Sequence, residues 1–340
     1  MTTAHEGGGA DAMEYTRLGR TALQVSRLCL GTLNLGVRTT REEAFALMDE
    51  ALERGINFFD TADQYGWQQY KGFTEELIGA WFAQGGGRRE RVVLGTKVFN
   101  PMSDLPNDQG LSARHIIAAC EESLRRLGTD WIDLYQMHHV DRAASWEEVW
   151  QAMEVLVQQG KIRYVGSSNF AGWHLVAAQE AANRRHFLGI VSEQCVYNLV
   201  TRYVELELVP AAQAYGMGVL VWSPLHGGLL GGALRKLADG TAVKTAQGRA
   251  SVALEQHRAT VTRYEKLCAE AGLDPAEVGL AWVLNRPGVT SVVVGPRTTA
   301  QLDGARRALG LRLDEGLLAE LEELFPPLGN GGPGPEAWAW

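Results

Sequence analysis

The sequence contains little cysteine, no cluster of basic residues and no long apolar run. Its four cysteines are scattered and form no CxxC pair, which argues against a disulfide framework or a zinc site and indicates reduced thiols. Lys and Arg number 32 against 40 Asp and Glu, a net charge of −8, so we expect no nucleic-acid partner. Since no stretch is long enough to span a membrane and the first residues lack the parts of a secretory signal, we expect a cytoplasmic protein with no membrane partner.

Nucleotide-binding fingerprints are missing as well. The stretch GTLNLG, residues 31–36, has neither the GxGxxG spacing nor the Lys-Ser/Thr pair of a phosphate-binding loop. A doubly wound sheet should carry such a fingerprint after its first strand, so its absence disfavours that architecture. The glycine clusters at residues 85–87 and 227–232 lack this context too, and we interpret them as turns.

What the sequence does contain is a regular alternation of apolar and amphipathic segments. Eight short apolar segments each begin a unit that continues with a helical pattern: LCLG, NFF, VVLGT, IDLYQ, IRYVG, IVSEQ, GVLVW and SVVVG. These segments are apolar on both faces, as parallel strands covered by helices must be. Eight such units in one chain predict an α/β fold, a (β/α)8 TIM barrel.

The regions outside the eight units extend this barrel. EYTRLG and LQVSRL predict an N-terminal β-hairpin, and EGLLAELEELF adds to the extra C-terminal helices. We expect a polar, glycine-rich insertion at about residues 227–251, before the helix TRYEKLCAEAG. Residues 1–13 are predicted to be disordered, residues 14–328 to form one barrel domain, and residues 329–340 to be a loose tail rich in Gly and Pro.

Four polar side chains fall at the ends of three neighbouring strands. Asp60 and Tyr65 follow the second strand, Lys97 ends the third and His138 ends the fourth. In a barrel, the loops at the carboxyl ends of the strands carry the chemistry. Each residue alone has an ordinary explanation, such as a helix cap or a solvated strand end. Together the four groups suit the reduction of a carbonyl, whose oxygen gains negative charge and needs a proton.

In this interpretation the phenol supplies the proton. A tyrosine has a pKa of about 10 and donates poorly near neutral pH. A neighbouring ammonium favours the phenolate, so we expect Lys97 to strengthen Tyr65 as an acid while Asp60 holds the lysine in place. His138 would orient the carbonyl through a second hydrogen bond. The adjacent His139 also suggests a metal site, but no second ligand cluster has a useful spacing, and we predict no metal.

The motifs at these strand ends resemble those of the aldo-keto reductases. They are DTADQYG, GTKV, DLYQMHHVD, VGSSNF, EQCVYNL, VWSPLHGGLL and VVVGPRTTAQL, in this order along the chain from about residue 14. The resemblance implies that Asp60, Tyr65, Lys97 and His138 form a catalytic tetrad with Tyr65 as the proton donor. It also implies an NADPH/NADP+ cofactor.

The same resemblance assigns the cofactor contacts. Ser168, Asn169 and Gln194 would hold the nicotinamide carboxamide, and Trp222 would stack on the ring. Arg297 favours NADPH, because a guanidinium pairs well with a 2′-phosphate. The other expected contacts are Gly31, Thr32 and Asp60 at the first strands, Ser223 and Leu225 along the pyrophosphate, Gly295 and Gln301 at the adenosine end, and Arg249, which is either a second pyrophosphate contact or a solvated loop charge.

Within the family we expect the nearest resemblance among actinobacterial reductases of deoxysugar and polyketide pathways, on stretches such as KGFTEELIG, QMHHVDR and SPLHGGLLGG. This implies a small-molecule carbonyl substrate, a keto-sugar or polyketide-type ketone. We expect Trp67, Tyr70, Phe99 and His139 to form the walls of its binding site. The alternative is a cofactor-sensing regulatory or scaffold subunit, because the chain also resembles potassium-channel β subunits. The intact His138 favours the enzyme, and the channel branch allows a homo-oligomer.

Overall fold

Eight parallel strands close into a barrel in the computed structural model, which describes residues 13–241 and 249–328. The strands are β3 (Leu28–Gly31), β4 (Phe58–Asp60), β5 (Val93–Val98), β6 (Ile132–Met137), β7 (Ile162–Ser168), β8 (Ile190–Val196), β9 (Gly218–Trp222) and β10 (Val289–Val294). They follow chain order around the barrel, and β10 pairs with β3 to close it. This confirms the predicted (β/α)8 barrel and each predicted barrel strand.

Helices cover the outside of the barrel. They are α1 (Arg41–Glu53), α2 (Phe73–Phe82), α3 (Arg88–Arg91), α4 (Ala113–Leu127), α5 (Trp146–Gln158), α6 (Gly172–Arg184), α7 (Leu208–Ala214), α8 (Ala233–Ala238), α9 (Arg249–Glu270), α10 (Pro275–Leu284), α11 (Thr299–Gly310) and α12 (Glu315–Leu324). Helix α1 begins at a capping box in which Thr40 and Glu43 each accept the other's backbone N–H. Across residues 13–241 and 249–328, every helix is too short or too polar to cross a membrane.

A hairpin closes the end of the barrel at which the strands begin. β1 (Tyr15–Arg17) pairs antiparallel with β2 (Gln24–Ser26), as predicted. Gly19 permits a close approach, because a Cβ there would lie 2.5 Å from the carbonyl oxygen of Val191. The fully buried Leu18 and Val25 of the hairpin region pack on interior side chains of the barrel strands: Cys29, Phe58, Val93, Leu134, Val191 and Leu220. This end of the barrel is therefore a filled apolar core.

The insertion after β9 differs from the predicted loop. It contains α8, and α9 begins at Arg249 instead of at the predicted Thr262. The added turns of α9 are stabilised by packing, since Leu254 and Val261 are buried against Leu229. At the N-terminus, residues 1–12 of the predicted disordered stretch lie outside the described residues, as does the tail 329–340, whereas Met13 packs against the core. All four cysteines are unpaired and buried.

Candidate active site

Neighbouring strands bring the predicted acid and lysine together at the open end of the barrel. β4 ends at Asp60, and Lys97 is the penultimate residue of β5. Nζ of Lys97 lies 2.5 Å from Oδ2 of Asp60 and donates to the carbonyl oxygen of Thr61 at 2.8 Å. Both side chains are buried, 0% and 3% exposed. Each therefore neutralises a charge that would be costly to bury alone.

Tyr65 reaches this ion pair from the loop after β4. Its hydroxyl oxygen lies 3.4 Å from Nζ of Lys97. His138, which directly follows β6, has its ring centroid 6.0 Å from that of Tyr65. The structure thus brings the four residues of the predicted tetrad to one opening.

Burial and charge act on Tyr65 in opposite directions. Burial is the larger effect and raises the pKa of Tyr65 above its ordinary value, although the Lys97 ammonium lowers it as expected. For Lys97, burial lowers the pKa, but Asp60 and Tyr65 together outweigh it, and the pKa is raised. Near neutral pH the pair is therefore a protonated phenol beside an ammonium. The expected strengthening of the phenol as an acid is present but is not the dominant effect.

Gln136 and Asn100 also belong to this site, although they were not predicted from the sequence. Gln136 and Gln194 both donate from Nε2 to Oδ1 of Asp60, at 3.0 and 2.8 Å. Nδ2 of Asn100 lies 3.0 Å from Nδ1 of His138. A glutamine inside the apolar strand IDLYQM was an available signal for Gln136, whereas Asn100 sits in a polar loop that gives no such signal.

The next strands around the barrel carry the predicted carboxamide contacts. Ser168 donates to the carbonyl oxygen of Gln194 at 2.8 Å. Nδ2 of Asn169 donates to the carbonyl oxygen of His138 and to Oγ of Ser168, both at 3.0 Å. Nε1 of Trp222 donates to Oδ1 of Asn169 at 3.2 Å. The four predicted residues therefore form one connected set beside the tetrad.

A buried carboxyl group holds the turn that presents Asn169. The backbone of Asn169 is left-handed, with φ of 60°, a conformation that asparagine tolerates better than most residues. Glu193, fully buried, accepts from the N–H of Phe170 at 2.9 Å and lies 2.5 Å from Oγ of Ser167. Burial raises the pKa of Glu193 to about 8 in spite of these hydrogen bonds. The turn is thus fixed by Glu193 on one side.

The residues predicted along the pyrophosphate lie in the tight turn after β9. Ser223 has φ of 54°, and its Oγ accepts from the N–H of Gly227 at 3.0 Å. Leu225 follows and packs against the core. At the first barrel strand, Thr32 follows Gly31 and donates from Oγ1 to the carbonyl oxygen of Asp60 at 3.0 Å. These residues line the same end of the barrel as the tetrad.

The residues predicted for the adenosine end surround the start of α11. The carbonyl oxygen of Gly295 accepts from Nδ2 of Asn34 at 2.9 Å. Oε1 of Gln301 accepts from the backbone N–H of Arg297 at 2.8 Å. Among the described residues, no ion pair or hydrogen bond engages the Arg297 guanidinium. Arg249 begins α9, but its side chain lies outside the described part of the chain.

Three of the predicted substrate residues form an aromatic approach to the tetrad. The ring of His139 stacks on His138 with centroids 5.2 Å apart, and Phe99 meets His139 at 5.4 Å. Trp67, 48% exposed, lies with its ring centroid 6.4 Å from that of Tyr65. A continuous row of rings therefore leads from the phenol to both sides of the opening.

The fourth predicted substrate residue, Tyr70, makes its contacts elsewhere. Its hydroxyl donates to Glu76 at 2.6 Å, and its ring packs on Phe73 at a centroid distance of 5.4 Å. These contacts tie Tyr70 to α2, not to the tetrad. No group of three or more His, Cys, Asp or Glu side chains within the described ranges is arranged to hold a metal ion.

Comparison with known proteins agrees with this geometry. The model of the Aldo/keto reductase family matches residues 27–325. The chain is 54% identical to the uncharacterized oxidoreductase YrpG of Bacillus subtilis (strain 168), over 96% of this chain and 100% of that protein. It is 32% identical to versiconal hemiacetal acetate reductase of Aspergillus parasiticus (93% and 98% covered). It is also 34% identical to a probable voltage-gated potassium channel subunit beta of Oryza sativa subsp. japonica (87% and 91% covered).

The fold and the site therefore define a barrel protein with Asp60, Tyr65, Lys97 and His138 gathered at its open end. The chain belongs to the aldo/keto reductase family, and its relatives include oxidoreductases.

Proposed function

We propose that this chain is an NADPH-dependent reductase of ketones or aldehydes. The observation that carries the proposal is the line of contacts from Asp60 through Lys97 to Tyr65, with His138 beside the phenol. A carbonyl that accepts a hydride develops negative charge on its oxygen. A protonated phenol next to a buried ammonium can supply a proton and stabilise charge at that position.

The polar groups beside the tetrad fit the nicotinamide end of the cofactor. Ser168 and Asn169 offer a hydroxyl and an amide, the donors and acceptors that a carboxamide requires, and Trp222 offers an aromatic face. When bound, the reduced nicotinamide supplies the hydride. Membership of the family supports NADH or NADPH in general. The preference for NADPH rests on Arg297, which directly precedes Thr298, the N-cap of α11, and at a helix N-terminus the helix dipole also favours a phosphate.

Each residue of the tetrad then has one task. Tyr65 donates its hydroxyl proton to the carbonyl oxygen, Lys97 stabilises the phenolate that remains, and Asp60 holds the ammonium. His138 donates a hydrogen bond to the carbonyl oxygen and orients it. Burial, with help from Lys97 and His139, keeps the pKa of His138 well below its usual value, so the ring acts as a neutral donor.

For the substrate we propose a bulky carbonyl compound of the keto-sugar or polyketide type. The aromatic approach of Trp67, Phe99 and His139 supports a ligand with apolar faces. The long loop between β5 and α4 borders the same opening, and its Leu105 is 69% exposed. An exposed apolar side chain beside a site is typical of a surface that covers a ligand.

The proposal is tested with Tyr65→Phe. We expect kcat for ketone reduction to fall by roughly 100-fold or more, because the general acid is lost, while NADPH binds as before. Stopped-flow and steady-state NADPH absorbance measure the rate, and cofactor fluorescence measures the affinity. Tyr70→Phe is the matched control, since that phenol lies on the same loop region but contacts Glu76. If Tyr65→Phe keeps most of the wild-type rate, the proposal is wrong.

A second candidate is a cofactor-sensing regulatory subunit. The 34% identity to a protein named as a potassium channel subunit beta favours it. The two candidates differ in turnover. Repeated oxidation of NADPH by a carbonyl panel favours the reductase, whereas a single turnover of bound NADPH followed by very slow cofactor exchange favours the sensor.

A further inference from the structure

Asn100 is the polar residue beside His138 to which no role has yet been given. It lies two residues beyond the end of β5, and its Nδ2 is 3.0 Å from Nδ1 of His138. The backbone of His138 is fixed separately: its N–H donates to Val98 at 2.9 Å, and its carbonyl oxygen accepts from Asn169 at 3.0 Å. Among the described residues, Asn100 is the one that hydrogen-bonds to a ring nitrogen of His138.

The chemistry of this contact decides which ring nitrogen carries the proton. An amide nitrogen donates hydrogen bonds and does not accept them, so Nδ1 of His138 must present its lone pair to Asn100. A neutral imidazole has one N–H, which is then on Nε2. This leaves Nε2–H as the donor available to a ligand in the barrel opening.

The surroundings of the ring also decide its charge. Three titratable groups contact the ring or act on its charge: the Lys97 ammonium, the Tyr65 phenol and the stacked ring of His139. Burial, Lys97 and His139 each lower the pKa of His138. The ring therefore does not acquire a second proton near neutral pH, and the choice between its two neutral tautomers is left to Asn100.

We propose that Asn100 is a positioning residue that fixes His138 in the neutral Nε2–H tautomer. The inference rests on the proposed carbonyl reduction, in which Nε2–H donates to the substrate oxygen. In the opposite tautomer, Nε2 would turn a lone pair toward that oxygen, and the two lone pairs would repel each other. Asn100 thus acts on the reaction through His138 and not by touching the substrate.

Asn100→Asp tests the proposal because it reverses the polarity of the contact. A carboxylate accepts a hydrogen bond from Nδ1–H, so the single proton of the neutral ring moves from Nε2 to Nδ1. The same carboxylate favours the imidazolium, which again carries Nε2–H. We therefore expect kcat/KM of this variant to be roughly tenfold or more below wild type at pH 8.5, and to recover as the pH falls. The wild-type profile should show no such recovery.

Asn100→Ala separates positioning from packing. Without the amide donor both neutral tautomers are populated, so kcat/KM should fall by about two- to tenfold, with no new pH dependence and unchanged NADPH affinity. A loss in Asn100→Asp that is equal at every pH would overturn the proposal.

Nitrogen-15 NMR of the protein without cofactor reads the tautomer directly. At pH 8.5 the wild-type protein should show a protonated Nε2 and an unprotonated Nδ1 at His138, and Asn100→Asp should show the reverse. This readout needs no substrate, so it distinguishes a failure of the tautomer inference from a failure of the proposed reaction. A wild-type spectrum with the proton on Nδ1 would refute the inference even if Asn100→Asp does not fold.

Discussion

At the scale of single residues, the proposed preference for NADPH over NADH rests on Arg297. Arg297→Ala should weaken NADPH binding by about ten- to a hundredfold, because a charge-assisted contact of about 1.5–3 kcal/mol is lost. NADH binding should change little. Fluorescence titration with both cofactors measures the difference. Arg312→Ala removes an exposed arginine just beyond α11 and should affect neither cofactor. Equal losses for NADPH and NADH in Arg297→Ala would mean that Arg297 does not contact the phosphate.

Individual site residues differ in how far the sequence predicts them. Asp60, Lys97 and His138 were predictable, because apolar strands of a barrel must bring their carboxyl ends together. The glutamine in the apolar strand IDLYQM marks Gln136 as unusual, but only the assembled barrel shows that it points at Asp60. No sequence signal marks Asn100 as the loop residue that reaches the imidazole. For Tyr65, the sequence predicts that the Lys97 charge lowers the pKa. It does not predict that burial raises the pKa by more.

At the scale of elements, the pairing of β7 with β8 places Glu193 beneath the turn that presents Asn169. In the folded protein Glu193 keeps its proton to about pH 8, against an ordinary value of 4.5. Between these values the folded state binds more protons than the unfolded state, so this group lowers the stability as the pH rises. Below about pH 4.5 both states are protonated and the group has no effect.

Glu193→Gln should therefore change how stability depends on pH. Glutamine stays neutral and can still pair with Phe170 and Ser167. We expect the free energy of unfolding of this variant, relative to wild type, to increase from pH 5 to pH 8 in chemical denaturation experiments. Glu90→Gln, at an exposed position of α3, should run parallel to wild type. A parallel course for Glu193→Gln as well would show that Glu193 loses its proton at an ordinary pH.

The boundaries of elements were the least predictable part of the fold. The capping box of Thr40 and Glu43 marks the start of α1 in the sequence, and the structure agrees. No comparable signal marks the start of α9, which begins at Arg249, well before the predicted Thr262, because burial of Leu254 and Val261 extends it. Where local chemistry specifies an end, sequence suffices; where tertiary packing specifies it, sequence does not.

At the scale of the whole molecule, the eight alternating units made the barrel predictable. They did not predict how side chains fill the end of the barrel at which the strands begin. The hairpin was expected from its two short strands. That Leu18 enters the barrel with Val25 depends on Gly19 approaching the backbone of Val191, a contact between distant parts of the chain. No local pattern encodes such a contact.

Leu18→Ala should consequently lower stability without altering the site. Removal of a fully buried leucine side chain costs about 2–5 kcal/mol, because it leaves a cavity. Denaturant titration measures the loss. The activity per folded molecule and the NADPH affinity should match wild type, since the hairpin lies at the end opposite the tetrad. Leu105→Ala, a 69% exposed leucine in the loop by the opening, should leave stability unchanged. A drop in activity per folded molecule in Leu18→Ala would contradict this separation.

The apolar core at the end of the barrel where the strands begin has a consequence for engineering the substrate specificity. The apolar core formed by Leu18, Val25 and the interior side chains of the strands anchors the barrel independently of the loops around Trp67 and residues 101–110, which leave Asn100 in place. Those loops can be randomised in a combinatorial library while the scaffold keeps its tolerance to mutation. Selection on new ketones would then sample loop shapes alone, and improved variants should not require compensating substitutions elsewhere in the barrel.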